Sequence, residues 1–413
     1  MKFDKHFRVA ATPLVLSLFL TPITGNPVGT KSYYKLVDDY SGPKFFDKFD
    51  FFDSDVVGRH GVGDPTQGWV RYLPRQKAQE LGLATVTDNV AKLKVNDKDK
   101  YEFSSSLTET NFTFNYNHPA AKKSFRESVR IESKKIYNKA LVIADFKHMP
   151  NSQCGVWPAF WLFGDPWPDM GEIDVIEGFF NADRNGVALH TGSECIAEYG
   201  VMTAKPESHN CWWKHNYNQG CLVKDNRTES YGTGFNANGG GHYVMEWTSD
   251  FIKVWFFPRG SAPADILSGT PNPDGWPTDP VVTYNTNKAC SIDTLFKNLK
   301  IVINTTFCGA INTDGTRWAT TGCLAETGLE SCREFVARNP EAFKEAYWEV
   351  KGIKVFQRHS GTESPAVPEN PVVSEEPSVP EVPAVPEKPV VDDEPQIVVP
   401  GELIQIPEVG CQR

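Results

Sequence analysis

A two-sheet, all-β sandwich is the fold this sequence predicts, on three observations. Apolar runs of strand length recur along the chain, Gly- and Asn-rich turns separate them, and strands never alternate with helical stretches as in βαβ units. The aromatic-rich run 45–52 comes first. The run 139–147 (K-A-L-V-I-A-D-F-K) has the length and composition of a strand. Residues 243–247, the polar turn Thr248-Ser249-Asp250 and residues 252–256 read as a hairpin of β-branched and aromatic residues. Residues 299–304 and 347–356 are two further strands. Helical periodicity is thin and confined to 75–83 and 333–346. No repeat or linker interrupts 26–360, which reads as one large β domain with long, disulfide-tied loops.

Both ends differ from this body of the 413-residue chain. Lys2, Lys5 and Arg8 precede the apolar run 9–20 and the small-residue stretch 21–25, the layout of a secretory signal at 1–25. Twelve apolar residues are too few to cross a bilayer, which takes ~20. No membrane span is expected. Residues 361–413 hold eleven prolines and the near-repeats P-A-V-P-E-N-P-V-V and P-A-V-P-E-K-P-V-V. Proline fixes φ and removes a backbone donor, so a disordered, stiff acidic spacer is expected there. Of the net charge of −10, this tail carries −9, and residues 26–360 keep −3. A weakly acidic body without a basic stripe argues against nucleic acid and against an anionic membrane surface. A neutral substrate suits it. The chain is expected to act as a monomer without a cofactor.

Cysteine usage agrees with export. Cys154, Cys195, Cys211, Cys221, Cys290, Cys308, Cys323 and Cys332 form an even set with no C-x-x-C pair, so disulfides are expected rather than a zinc or redox site. Their pairing stays open, and Cys411 is left over in the tail. Asn111, Asn226 and Asn304 head N-glycosylation sequons, the last inside an apolar run of strand character.

The chemistry concentrates in Gly171-Glu172-Ile173-Asp174-Val175-Ile176-Glu177-Gly178. Alternate side chains of a strand share a face, so Glu172 and Asp174 point the same way. Glu177 falls on the opposite face unless a one-residue β-bulge near Val175 and Ile176 turns it back, a re-aiming that bulges perform beside active sites. Three carboxylates on one face are therefore expected. An E-x-D-x-x-E match alone arises by chance in about one chain in ten of this length, but this one has a dry setting. Trp157, Phe160, Trp161, Phe163 and Trp167 all lie within fifteen residues of Glu172. Like charges on a face walled by indoles raise at least one carboxyl pKa, which keeps one acid protonated beside an ionised one. Indole faces stack on sugar rings, so Trp161 and Trp167 are candidate substrate-binding residues, with core packing the alternative for each; Trp157 is assigned to core or loop support. No metal ligands are assigned. The absence of G-x-S-x-G and H-E-x-x-H argues against a serine or metal hydrolase.

These residues resemble glycoside hydrolase family 16. Trp157-Pro-Ala-Phe-Trp161, Trp167-Pro168 and the acidic motif carry the likeness, which is greatest to the secreted fungal-type endo-1,3(4)-β-glucanases of laminarinase type. Asp64-Pro65-Thr66, Gly68-Trp69-Val70, Leu189-His190-Thr191, Phe307-Cys308-Gly309 and Ala346-Tyr347-Trp348 extend it over nearly all of 30–358. The resemblance implies a β-jelly-roll with a glycan-binding cleft across its concave sheet and β-glucan as substrate. It implies Glu172 as nucleophile, Glu177 as acid/base and Asp174 as the assisting carboxylate. Such a scheme needs Glu172 ionised while Glu177 is protonated, hence an acidic, bell-shaped pH profile. His190 is expected near the acid/base from the adjoining strand, with a satisfied interior histidine as the alternative. One stretch departs from the family. Relatives continue after Phe-Cys-Gly with an acid and Trp-Ala-Gly, whose Trp lines the donor side, whereas this chain reads Ala310-Ile311-Asn312-Thr313-Asp314-Gly315. Either Trp318 swings in or a donor subsite is weaker. Endo-hydrolysis of β-1,3 or mixed β-1,3-1,4 linkages leads. A wall-remodelling transglycosylase and a non-catalytic glucan receptor are the alternatives on the same sandwich, and the three intact acids weigh against the receptor.

Overall fold

The computed structural model describes residues 32–56, 63–110, 115–312 and 314–361. The signal at 1–25, the sequon at Asn111, Cys411 and the Pro-rich tail lie outside the described residues. In chain order the strands are β1 Ser32–Ser41, β2 Phe49–Phe51, β3 Val70–Tyr72, β4 Ala84–Thr87, β5 Val90–Lys94, β6 Arg126–Ser128, β7 Arg130–Ser133, β8 Ala140–His148 and β9 Val156–Gly164. They continue as β10 Glu172–Glu177, β11 Gly186–His190, β12 Glu198–Tyr199, β13 Lys205–Pro206, β14 Val223–Lys224, β15 Gly241–Trp247, β16 Phe251–Pro258, β17 Val282–Asn285, β18 Leu299–Phe307 and β19 Tyr347–Ser360. One antiparallel sheet runs β13-β14-β11-β10-β9-β18-β7-β2. The other runs β12-β17-β16-β15-β8-β19-β5-β4, with β1 also on β19.

Period-two patterning packs these sheets into a sandwich. Phe160 and Leu162 of β9, Ile173 of β10, Leu189 of β11 and Ile301 and Ile303 of β18 turn inward from the first sheet. They share one core with Val142 and Phe146 of β8, Met245 of β15, Val254 of β16 and Trp348 of β19. Fully burying each such side chain stabilises by about 1.5–3 kcal/mol. The strands expected at 139–147, 299–304 and 347–356 form, and the 243–256 hairpin is β15–β16. The helix expected over 75–83 spans Arg75–Glu80. That over 333–346 forms only as Cys332–Arg338, because Pro340 bars α conformation at the residue before it; Asn339 sits at φ −121, ψ 66 and a 3-10 turn, Pro340–Phe343, follows.

A second core of Trp69, Phe125, Phe180, Trp318 and Phe343 lies beside the sandwich. All eight body cysteines are paired: Cys154–Cys323 and Cys308–Cys332 cross this second core, while Cys195–Cys290 and Cys211–Cys221 tie loops next to β11. No helix among the described residues is long and apolar enough to cross a membrane. Asn226 is exposed. Asn304 is buried, its amide spent on Trp161 and Tyr72.

Candidate active site

The register of β10 brings its three acids together. Against β9, Glu172 stands opposite Phe163, Asp174 opposite Trp161 and Glu177 opposite Ala159. Those partners are alternate residues of one strand, so all three carboxylates share a face. β10 uses one residue more than β9 over this span, the shift falling between Asp174 and Ile176. Against β11 the shift falls between Asp174 and Glu177. The expected bulge is present, and Val175 and Ile176 both enter the core.

Each acid has its own partner. Trp167 Nε1 donates to Glu172 Oε2. Trp157 Nε1 donates to Glu177 Oε1 at 2.9 Å. Trp157 thus belongs to the site and not to loop support; the readable signal is that Trp157, Ala159, Trp161 and Phe163 are the same-face residues of β9. Gly309 makes room for its ring, since a Cβ there would lie 2.3 Å from Trp157 Cζ3. His190 stands opposite Glu172 on β11, and its Nε2 lies 3.2 Å from Asp174 Oδ2. It pairs with the middle acid, not with Glu177. Asn218, from the loop closed by Cys211–Cys221, faces His190 Nδ1 at 2.9 Å.

The two candidate tryptophans divide. Trp167 is half-buried on the acid-bearing face, with Trp213 edge-on at 5.8 Å. Trp161 is only 7% exposed: its ring stacks on Phe163 and lies 5.1 Å from the Arg130 guanidinium, and its Nε1 donates to Asn304. It floors the site. Trp318 does not swing in; it is buried in the second core against Phe180 and Phe335, with its Nε1 on the Leu329 carbonyl. Of the two outcomes expected for this stretch, the inward swing of Trp318 is therefore not the one adopted.

Burial governs the electrostatics. It raises Glu177 above the usual carboxylate range, helped by Glu172 and opposed by the His190 charge and the Trp157 bond. Burial, then Glu172 and Glu177, push Asp174 well up against the pull of His190. For His190 burial acts downward, yet its bond to Asp174 and the surrounding carboxylates win and lift it to about 10. An imidazolium donates from both nitrogens, which matches acceptors Asp174 and Asn218. One polar atom from each of Glu172, Asp174 and His190 lies within 4.8 Å of the others. A metal at that trio would have to displace the proton that the surrounding carboxylates favour on His190.

A carboxylate row in which burial favours the protonated form of Glu177 and Asp174, walled by indoles on a sheet face, is machinery for acid-base and nucleophilic work on a neutral ligand. The model of the "XgeA-like, catalytic GH16 domain" matches residues 60–356. The chain belongs to glycoside hydrolase family 16. Among curated members, a "Probable glycosidase" of Schizosaccharomyces pombe is 38% identical over 329 residues, 78% of this chain and 69% of that one. A "Probable endo-1,3(4)-beta-glucanase" of Aspergillus clavatus is 40% identical over 328 residues, 78% of this chain and 46% of that one. The chain thus spans about half the length of such Aspergillus relatives. Two solved family 16 structures align at a TM-score of 0.66 over their whole length. An elongating beta-1,3-glucosyltransferase is 38% identical and covers 78% of this chain. Laminarinase 16A of Phanerochaete chrysosporium, with 6-O-glucosyl-laminaritriose in donor and acceptor sites, is 35% identical and covers 79%.

Proposed function

We propose that this family 16 chain is an endo-acting β-glucan hydrolase that cleaves β-1,3 or mixed β-1,3-1,4 linkages with retention of configuration. The bulge carries the proposal: it sets the half-buried Glu172 and Glu177 on one face, where desolvation favours the protonated form of Glu177. Glu172 attacks the anomeric carbon while Glu177 gives its proton to the departing glycosidic oxygen. Neutralising Glu172 in the glycosyl-enzyme removes a charge that raises the Glu177 pKa, so Glu177 then takes a proton from the attacking water. Asp174, tethered to His190, orients Glu172 and the sugar between the two. Trp167, which holds Glu172 and is open to the face, is the stacking residue for the sugar. The paired cysteines and the sequon at exposed Asn226 support a secreted, glycosylated protein, which we read as a monomer with residues 1–25 as the signal, 26–360 as the catalytic domain and 361–413 as a spacer.

A second reading has its own observation. The elongating glucosyltransferase resembles this chain as closely as the laminarinase does, and a sugar hydroxyl in place of water gives transglycosylation by the same steps. Chromatography of products from laminarin and from mixed-linkage β-glucan, with wild type and Glu172→Gln, separates the two. Shortened oligosaccharides from wild type alone support hydrolysis. Products longer than the donor favour transfer, and polymer binding without products would overturn both in favour of a receptor.

A further inference from the structure

Asn185 stands one residue ahead of β11 and is fully buried. Its Oδ1 accepts the Glu177 N–H at 3.0 Å, and its Nδ2 donates to the Val175 carbonyl at 2.8 Å. These two backbone groups flank the stretch of β10 where the ladder to β11 slips, the place where a bulge leaves groups without strand partners. One carboxamide supplies both the acceptor and the donor. Among side chains of this length only asparagine can do so: aspartate at neutral pH offers two acceptors, and alanine neither.

Asn185 is itself clamped. Its N–H donates to Ser230 Oγ at 3.1 Å, its carbonyl accepts the Asp225 N–H at 2.9 Å, and Ser230 in turn donates to the Arg227 carbonyl at 2.6 Å. The next residue, Tyr231, closes over the end of the bulge; a Cβ on Gly178 would lie 2.6 Å from its ring. The amide is therefore anchored from a loop that contributes no carboxylate to the acid row.

We infer that Asn185 is the positioning residue of Glu177, locking the bulge that turns this acid out of the core and onto the face shared with Glu172. A strand that loses its bulge regains period two, and a one-residue slip sends every following side chain to the other face. Without the amide, Glu177 samples the core side and is no longer held where a glycosidic oxygen needs its proton. Glu172 and Asp174, which precede the bulge, keep their register. The inference rests on the roles proposed above and predicts a selective defect: protonation of the leaving group fails while nucleophilic attack survives.

The test uses full-length protein and two donors, laminarin and 2,4-dinitrophenyl β-laminaribioside. On the second, a Glu172 oxygen forms its bond to the anomeric carbon as dinitrophenolate leaves with the bonding pair, so no acid is needed. Azide can then displace Glu172 to give the β-glycosyl azide without a base. Glu177→Ala calibrates the pattern. Asn185→Ala should lose ~100-fold in kcat on laminarin with KM little changed, the lower range for a general acid. It should keep the dinitrophenolate burst, whose amplitude also counts folded sites, and gain turnover with azide. Asn185→Asp, which keeps the volume and one acceptor, should show the same split in smaller measure. Equal losses on both donors, or wild-type rates on laminarin, overturn the inference. If Glu177→Ala itself shows no azide rescue, the acid/base role of Glu177 is wrong, and the positioning role falls with it.

Discussion

Replacing Trp157 by Phe keeps an aromatic ring against Gly309 and removes one hydrogen bond from Glu177. That bond, Nε1 to Oε1 at 2.9 Å, helps hold the Glu177 pKa down against the burial that raises it. A hydrogen bond to an ionised group contributes about 1.5–3 kcal/mol and a neutral one about 0.5–1.5. The indole serves both forms of the acid, so the difference, about 1–1.5 kcal/mol, is what reaches the pKa. One pKa unit corresponds to about 1.4 kcal/mol, so Glu177 should rise by roughly one unit. A higher pKa keeps the acid protonated to higher pH. The alkaline limb of kcat/KM on laminarin should therefore move upward by about one unit in Trp157→Phe, with the acid limb in place. The assay is reducing-end release across the acidic to mildly alkaline range. A limb that stays where it was, or moves down, would refute either the acid role of Glu177 or the weight given to the indole bond.

Further outcomes follow from the same geometry. Glu177 and Asp174 are raised by burial and His190 by its carboxylates, so their stabilising share is complete below the unfolded-state values, about 4 for the acids and 6.5 for His, and is lost as pH rises through the folded values. Glu177→Gln should therefore raise Tm over wild type at alkaline pH and leave it nearly unchanged below about pH 4, as calorimetry can check. Cys154–Cys323 closes a separation of 169 residues and Cys211–Cys221 one of 10, so loop entropy assigns them about 5 and about 3 kcal/mol. Removing the first pair should cost more in urea midpoint; removing the second, whose loop carries Asn218 and Trp213, should cost more in activity. In protein expressed through a secretory host, peptide mass spectrometry should find glycan on exposed Asn226 and none on buried Asn304.

Local alternation made the sandwich, its hairpin and the acid row readable, because period two acts over a few residues. Even the bulge was legible, since only an extra residue lets Glu177 join Glu172. What depends on distant segments was not. Trp157 looked like support because nothing local says that β10 pairs beside it and sets Glu177 opposite Ala159. Trp161, open by composition, is covered by Arg130 and Asn304 from β7 and β18, strands remote in sequence. Asn185 carries no motif at all; its importance comes from two backbone atoms eight and ten positions upstream. The helix expected over 333–346 stopped at Arg338 for a local reason, Pro340, that periodicity alone does not weigh.

The pairing of β1 with β19 sets Ser32 opposite Ser360, so the two ends of the sandwich are neighbouring residues of one ladder. Facing residues of antiparallel strands lie only ~5 Å apart, a gap that a few glycines can bridge. The domain could therefore be rewired as a circular permutant, sealed at 32 and 360 and reopened at an exposed turn such as Gly260, without disturbing the acid row. Assembly would be slower to rewire than geometry. β18 enters between β7 and β9, and β19 between β5 and β8, so both sheets stay unfinished until the last quarter of the domain has been made. A permutant that supplies those strands first would begin folding around the centre of each sheet and close at the edges.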